Sequence, residues 1–345
     1  MKVCAGLQYD RSPAEVAEQA VAYERAGVDM LLVAEAYGFD GVSLMGYLAA
    51  STERVEIASG ILPIYTRTPT LLAMTAAGLD SLSGGRFVLG LGASGPQVIE
   101  GFHGVTYDRP IGRTREIIEI CREVWKRERV THEGAAYTIP LPPDQGTGLG
   151  KPLKLITHPV RERIPIYVAS LGPKNVEMTA EVADGWLPIF YLPDKAADVW
   201  GDDLARGRAK RSDDLDDLEV VAGGIVAIGE EDEVAPIREM ARPMLALYVG
   251  GMGAKGRNFY NDLACRYGFE EAAGEIQDLY LDGKKDEAAA RVPAELLESS
   301  AIVGPEGYVK EQIAAYKESG VTTLNVTPVG PDPAEVVAKV KAWSE

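Results

Sequence analysis

The chain has 345 residues, 46% hydrophobic and 25% charged, with a net charge of -17. This is the composition of a soluble globular protein; the charge would repel a phosphate backbone and argues against nucleic acid as a partner. The apolar runs stop well short of about 18 residues, so no transmembrane helix is expected, and MKVCAGLQYD lacks a signal peptide's apolar core and cleavage site, which predicts a cytoplasmic protein.

Strand and helix signals then alternate. Val3 to Gln8 reads as a first strand. Ser12-Pro13-Ala14-Glu15 supplies an N-cap, a proline at the first helical position and a glutamate at N3, a capping box opening a helix. Gly27 closes that helix, and VDMLLVAE follows as a buried strand. A helix from about Gly41 to Ser51 precedes a strand from Val55 to Leu62. Thr68-Pro69 opens the next helix, Gly84-Gly85 closes it, and RFVLGLG is the fourth strand. A long helix around Arg113 to Arg129 leads through a Pro/Gly-rich stretch to IPIYVAS, the helix PKNVEMTAEVA and the strand DGWLPIF. EVVAGGIVAIG and GVTTLNVTP read as strands seven and eight, and Asp332-Pro333-Ala334-Glu335 opens a closing helix.

Eight strand–helix units whose strands have no polar face predict an α/β protein, a single (β/α)8 TIM barrel over residues 1–345. A doubly wound open sheet is the alternative. Two segments fall outside the repeat, at about 130–160 and 240–300, and are expected to be insertions, the second with GGMGAKG as a flexible joint. Such insertions either wall an active site or merely pack and dimerise. The three cysteines and three histidines are scattered, matching neither a disulfide framework nor a metal site. The basic cluster Arg206, Arg208, Lys210 and Arg211 is followed by acidic DDLDDLE and reads as a solvated helix end.

GLGASG, residues 90–95, spells the GxGxxG of a dinucleotide-binding turn. Its context is wrong: it follows the fourth strand, Pro96 and GFHG leave no uninterrupted helix, and a helix rather than a strand end lies some twenty residues on. In a barrel, glycines at a strand's C-terminal end clear room for a flat ligand. Gly60-Ile61 does the same for strand three, and the turn from Ala169 to Asn175 offers free N–H groups and Lys174 to a phosphate, or is an ordinary turn. Glu35 and Asp40 follow strand two, and Glu100 and His103 follow strand four. Each is a candidate proton donor or acceptor, and each is also an ordinary structural hydrogen-bond partner.

Asp80-Ser81-Leu82-Ser83-Gly84-Gly85-Arg86-Phe87-Val88-Leu89-Gly90-Leu91-Gly92 resembles the DxLSGGRxxLGLG signature of the bacterial luciferase-like monooxygenase superfamily. Thr66-Arg67-Thr68-Pro69 and Ala183-Asp184-Gly185-Trp186 fit the same pattern, and ASGPQVIEG at 93–101 is similar to the actinobacterial branch of coenzyme F420-dependent oxidoreductases, related to methylenetetrahydromethanopterin reductase. The resemblance implies a barrel that dimerises and binds a flavin or 5-deazaflavin at the strand C-termini, with coenzyme F420 expected and FMN the alternative. It implies a non-prolyl cis peptide at Gly60-Ile61 behind the ring, with Gly92, Ala93 and Ser94 beside it, and the cofactor phosphate on Ser170, Leu171, Gly172 and Lys174. The activity implied is hydride transfer between the deazaflavin C5 and a small organic substrate, with Glu100 or His103 as proton donor and Glu35 next. The alternatives are an FMN-dependent monooxygenase and a non-catalytic flavin or deazaflavin carrier. Tyr9, Tyr37, Tyr65, Phe102 and the two insertions are expected to set the substrate, which the sequence does not name.

Overall fold

Short β-rich runs alternating with capped helices wind into a closed barrel in the computed structural model, which describes residues 1–7 and 11–345. Gln8, the expected end of the first strand, and Tyr9, an expected substrate contact, lie outside the described residues. The barrel strands are β1 (Lys2–Gly6), β2 (Met30–Val33), β3 (Glu56–Ser59), β4 (Phe87–Gly92), β5 (Ile166–Val168), β6 (Gly185–Trp186), β7 (Glu219–Ile228) and β8 (Thr323–Pro328). Each pairs in parallel with the next, and β8 returns to β1, with Cys4 opposite Met30 on one side and Asn325 on the other. Closure rules out the open-sheet alternative.

Local chemistry sets the helix starts. The Ser12–Glu15 capping box forms as expected at the helix Pro13–Arg25, Asp40 caps Gly41–Ser51, and Thr68 caps Pro69–Ser83. Gly84 ends the last of these in the left-handed region at φ 68. Most of the 80–92 signature serves the closed, N-terminal end of the barrel. The Arg86 guanidinium donates to the carbonyls of Ala49, Thr52, Val55 and Ser83, and buried Asp80 accepts from the Phe87 N–H and the Arg161 Nε.

Several expectations change. A helix of six residues, Pro96–Gly101, does begin directly after GLGASG, where none was expected, and it stops at the glycine before Phe102. The long helix is Pro110–Trp125 rather than 113–129, because Pro110 starts it at the favoured first position. A parallel strand that the sequence reading missed, Ala301–Gly304, pairs with residues 225–228 of β7; a run of four apolar residues has no period of its own. Gly250 and Gly251 do not form a loose joint. They lie in the turn Leu247–Gly251, packed so closely on Tyr280 that a Cβ on either would meet its side chain at 2.4–2.6 Å. Among the described residues, no helix is long and apolar enough to cross a membrane.

Candidate active site

Alternation along the strands sorts the barrel interior into two unlike halves. Toward the N-terminal end Cys4, Met30, Ala58, Val88, Tyr167 and Val221 form a buried plug. Toward the C-terminal end the corresponding positions include the small residues Gly6, Gly90, Gly92 and Ala169, with the Leu32 side chain packed against Gly60 and that of Ile61 against Gly92.

The opening depends on how β3 leaves the sheet. Ser59 is fully buried, and its hydroxyl both donates to the Gly90 carbonyl and accepts the Gly90 N–H, each at 2.8 Å. The Gly60–Ile61 peptide is cis, as expected, and the chain resumes as Leu62–Pro63, paired with Leu91 and Gly92. Gly90 is obligatory here, since a Cβ would sit 1.7 Å from the Ser59 carbonyl oxygen. At Gly92 a Cβ would meet the Ile61 side chain at 2.8 Å, in the space that separates β4 from the bulge. Ser94 follows with φ 57, turning the chain away from the mouth. Ser59 was not singled out from the sequence; a lone buried serine carries no local signal.

On the neighbouring strand, Trp186 Nε1 donates to the Ser170 carbonyl and Trp200 Nε1 to the Leu171 carbonyl, both at 2.9 Å, which pins the turn before the helix Pro173–Val182. The Ser170 hydroxyl is buried and bonded to Thr179 Oγ1 at 2.9 Å, so it is held for the fold. Gly172 is the N-cap with no side-chain cap, and a Cβ there would meet nothing within 4 Å. Exposed Lys174 stands beside it. The Asn175 Oδ1 is buried without a partner, and a carboxamide can present its NH2 group in the same place. The exposed Lys174 ammonium, without a partner among the described residues, and its backbone N–H next to Pro173 at the helix start suit a phosphate. With the cleared mouth above Gly92, the residues fit a flat cofactor carrying a phosphate tail.

The acid–base candidates separate. Glu35 accepts both Arg67 guanidinium nitrogens at 2.6 and 2.8 Å and the Gly41 N–H at 2.7 Å, and both side chains are largely buried. Glu100 is exposed and, among the described residues, accepts only the Tyr107 N–H, at 3.1 Å, through one of its two oxygens. His103 is exposed with the Phe102 ring edge-on at 5.1 Å, and Tyr37 lies 6.3 Å from Phe102. The structure thus gathers Glu100, Phe102, His103 and Tyr37 on one flank of the mouth and ties Glu35 into the scaffold.

Eight parallel strands closed into a barrel and covered by helices define the class, an α/β barrel protein. The profile of the luciferase-like monooxygenase family matches residues 2–323, and the chain belongs to that family. It is 45% identical over 319 residues to a Mycobacterium tuberculosis protein provisionally named a coenzyme F420-dependent oxidoreductase, covering 91% of each chain. It is 28% identical to the 5,10-methylenetetrahydromethanopterin reductase of Archaeoglobus fulgidus, covering 90% of this chain and 88% of the other. The solved structure of the coenzyme F420-dependent tetrahydromethanopterin reductase of Methanopyrus kandleri superposes with a TM-score of 0.80 at 22% identity, over 99% of this chain and 97% of that one, which shows the shared fold.

Proposed function

We propose that the chain is a coenzyme F420-dependent oxidoreductase acting on a small organic substrate. One observation carries the reading: the Gly60–Ile61 bulge packs on Gly92 at the C-terminal end of β4, beside the turn after β5 that carries Gly172 and Lys174. The 45% identity to a relative named for F420 selects the cofactor. When bound, the 5-deazaflavin supplies or accepts a hydride at its C5, where a flavin has nitrogen.

The chain's own residues do the rest. Ile61 backs the ring, and Gly92, Ala93 and Ser94 border it without intruding. Lys174, through its ammonium and its backbone N–H at the start of the helix Pro173–Val182, holds the phosphate. Glu100, with one carboxylate oxygen uncommitted, holds or accepts the proton at the substrate heteroatom, and exposed His103 is the second candidate. Glu35 positions the loop after β2 through Arg67 and Gly41.

Fluorescence titration of the pure protein tests the cofactor. Quenching by F420 with no binding of FMN is expected; nanomolar FMN binding without F420 binding would overturn the reading. Failure to turn over any of a broad set of carbonyls, alcohols and enones would make the chain a cofactor carrier.

We further propose a cytoplasmic homodimer. Its face is the exposed apolar stripe Leu71, Met74 and Leu82 of the helix Pro69–Ser83 with Tyr47 of the adjoining Gly41–Ser51 helix. The spacing puts Leu71, Met74 and Gly78 on one side, and Gly78 lets a second backbone approach. Sedimentation at micromolar concentration should show a dimer, and Met74→Lys should give a monomer.

A further inference from the structure

Beyond the cofactor, the mouth carries an aromatic wall assembled from four separate stretches of chain. Tyr65, after the resumed third strand, lies with its ring 5.1 Å from Tyr107, whose hydroxyl points to the Ser94 carbonyl at 3.4 Å, just past the end of β4. Burial pushes the Tyr260 phenol up, and Tyr248 and then Tyr107 push it the same way. Tyr260 packs edge-on to Tyr248 at 4.7 Å, and Phe190, following β6, stands edge-on to both at 5.2 and 6.2 Å.

The wall is held in place. Phe190 sits in the left-handed region at φ 54, a conformation an aromatic residue rarely adopts, and its carbonyl accepts from the Tyr267 hydroxyl at 2.8 Å. Asn258 caps the helix that carries Tyr260 and donates to the Tyr248 and Val249 carbonyls. The cations bordering the wall are already paired. Arg113 bonds Asp108 at 2.8 Å and lies over the rings of Tyr65 and Tyr137. Lys195 bonds Glu295 and the Tyr267 carbonyl, both at 3.0 Å, and lies over Phe269. The Tyr65 hydroxyl is taken by the Asp108 carbonyl at 2.9 Å, whereas the Tyr260 hydroxyl has no hydrogen-bond partner among the described residues.

We propose that this wall is the substrate-binding surface, that it selects planar, conjugated, uncharged carbonyl compounds over phosphorylated ones, and that the Tyr260 hydroxyl donates a hydrogen bond to the carbonyl oxygen. The inference rests on the cofactor occupying the mouth beside Gly92. Rings offer stacking to any conjugated π-face. Paired cations offer little to an anion, because a phosphate would have to displace their partners. A phenol whose hydroxyl has no partner within an aromatic wall gains most from one neutral acceptor.

The test measures binding rather than turnover. Calorimetry with 1-tetralone, its carbonyl-free counterpart tetralin and glucose 6-phosphate is run with and without F420, and F420 binding is followed separately by fluorescence quenching. Tetralone is expected to bind more tightly than glucose 6-phosphate. Tyr260→Phe should weaken tetralone about fivefold, leave tetralin and F420 binding unchanged, and melt with the wild type. Tyr260→Ala should weaken both ring probes about tenfold. Tighter binding of glucose 6-phosphate, or unchanged tetralone affinity in Tyr260→Phe, would overturn the proposal. If F420 fails to bind while tetralone binds and responds to Tyr260→Phe, the cofactor reading falls and the wall stands.

Discussion

The two ends of this barrel are built from the same strands and differ in what the strands point inward. At the N-terminal end the interior is full. Tyr167 donates to Glu219 at 2.5 Å, Lys2 reaches Glu219 at 3.3 Å and Glu56 at 3.8 Å, and the apolar plug lies just above. At the C-terminal end the same strands end in glycine, alanine and a bulge, and the space is left for a ligand.

The strongest way to break this contrast is to put a side chain where the two ends meet. Gly90→Ala places a Cβ on the Ser59 carbonyl and should cost about 3 kcal/mol or more in urea unfolding. Gly172→Ala at the open mouth should change stability by no more than about 0.5 kcal/mol. Equal costs at the two positions would sink the argument.

Next in size is Glu35→Gln, which leaves the mostly buried Arg67 with a neutral partner and should lower stability by about 2 kcal/mol. A fall in kcat with no change in melting temperature would instead make Glu35 a proton donor. Lys174→Ala should weaken F420 about fivefold, more at low salt than at high, with the fold unchanged.

The smallest effect belongs to the closed end and depends on pH. Burial raises the Glu56 pKa above the ordinary carboxylate range, outweighing the pull of Lys2. The charged form is therefore less favoured in the folded state than in the unfolded one. No cost exists while both states are protonated, below the unfolded value of about 4.3; it appears as pH rises above that and is complete above the raised folded value. Glu56→Gln should thus gain on the wild type between about pH 4 and 7, by under about 1 kcal/mol because the pair is partly exposed. A gain on going the other way would show that the Lys2 contact dominates.

Much of the fold was legible because its signals are local. The Ser12 capping box, the Thr68-Pro69 start and the Gly84 cap each need only a few neighbouring residues, and each formed as read. The short strand Ala301–Gly304 was missed because its length carries no periodicity. The GLGASG motif shows the other limit. Its glycines are spelled like a nucleotide turn, yet Gly90 serves the close approach of Ser59 and only Gly92 borders the mouth.

The expected site residues divide in the same way. Gly60, Gly92 and Gly172 were readable as glycines at strand ends or turns, and the structure places them there. Ser170 and Glu35 were readable only as residue types with chemistry, and the fold ties them to Thr179 and to Arg67. No spacing could have reported those partners, which lie 9 and 32 residues away.

By itself the sequence determined the order of strands and helices, their caps and the family, because these depend on local periodicity and on short patterns of glycine, proline and charge. Only the tertiary structure decided which carboxylate is tied down, which hydroxyl is left over and which rings meet across the mouth. Those outcomes depend on residues brought together by barrel closure, as with Tyr65 and Tyr107, and closure has no signature in any single stretch of chain.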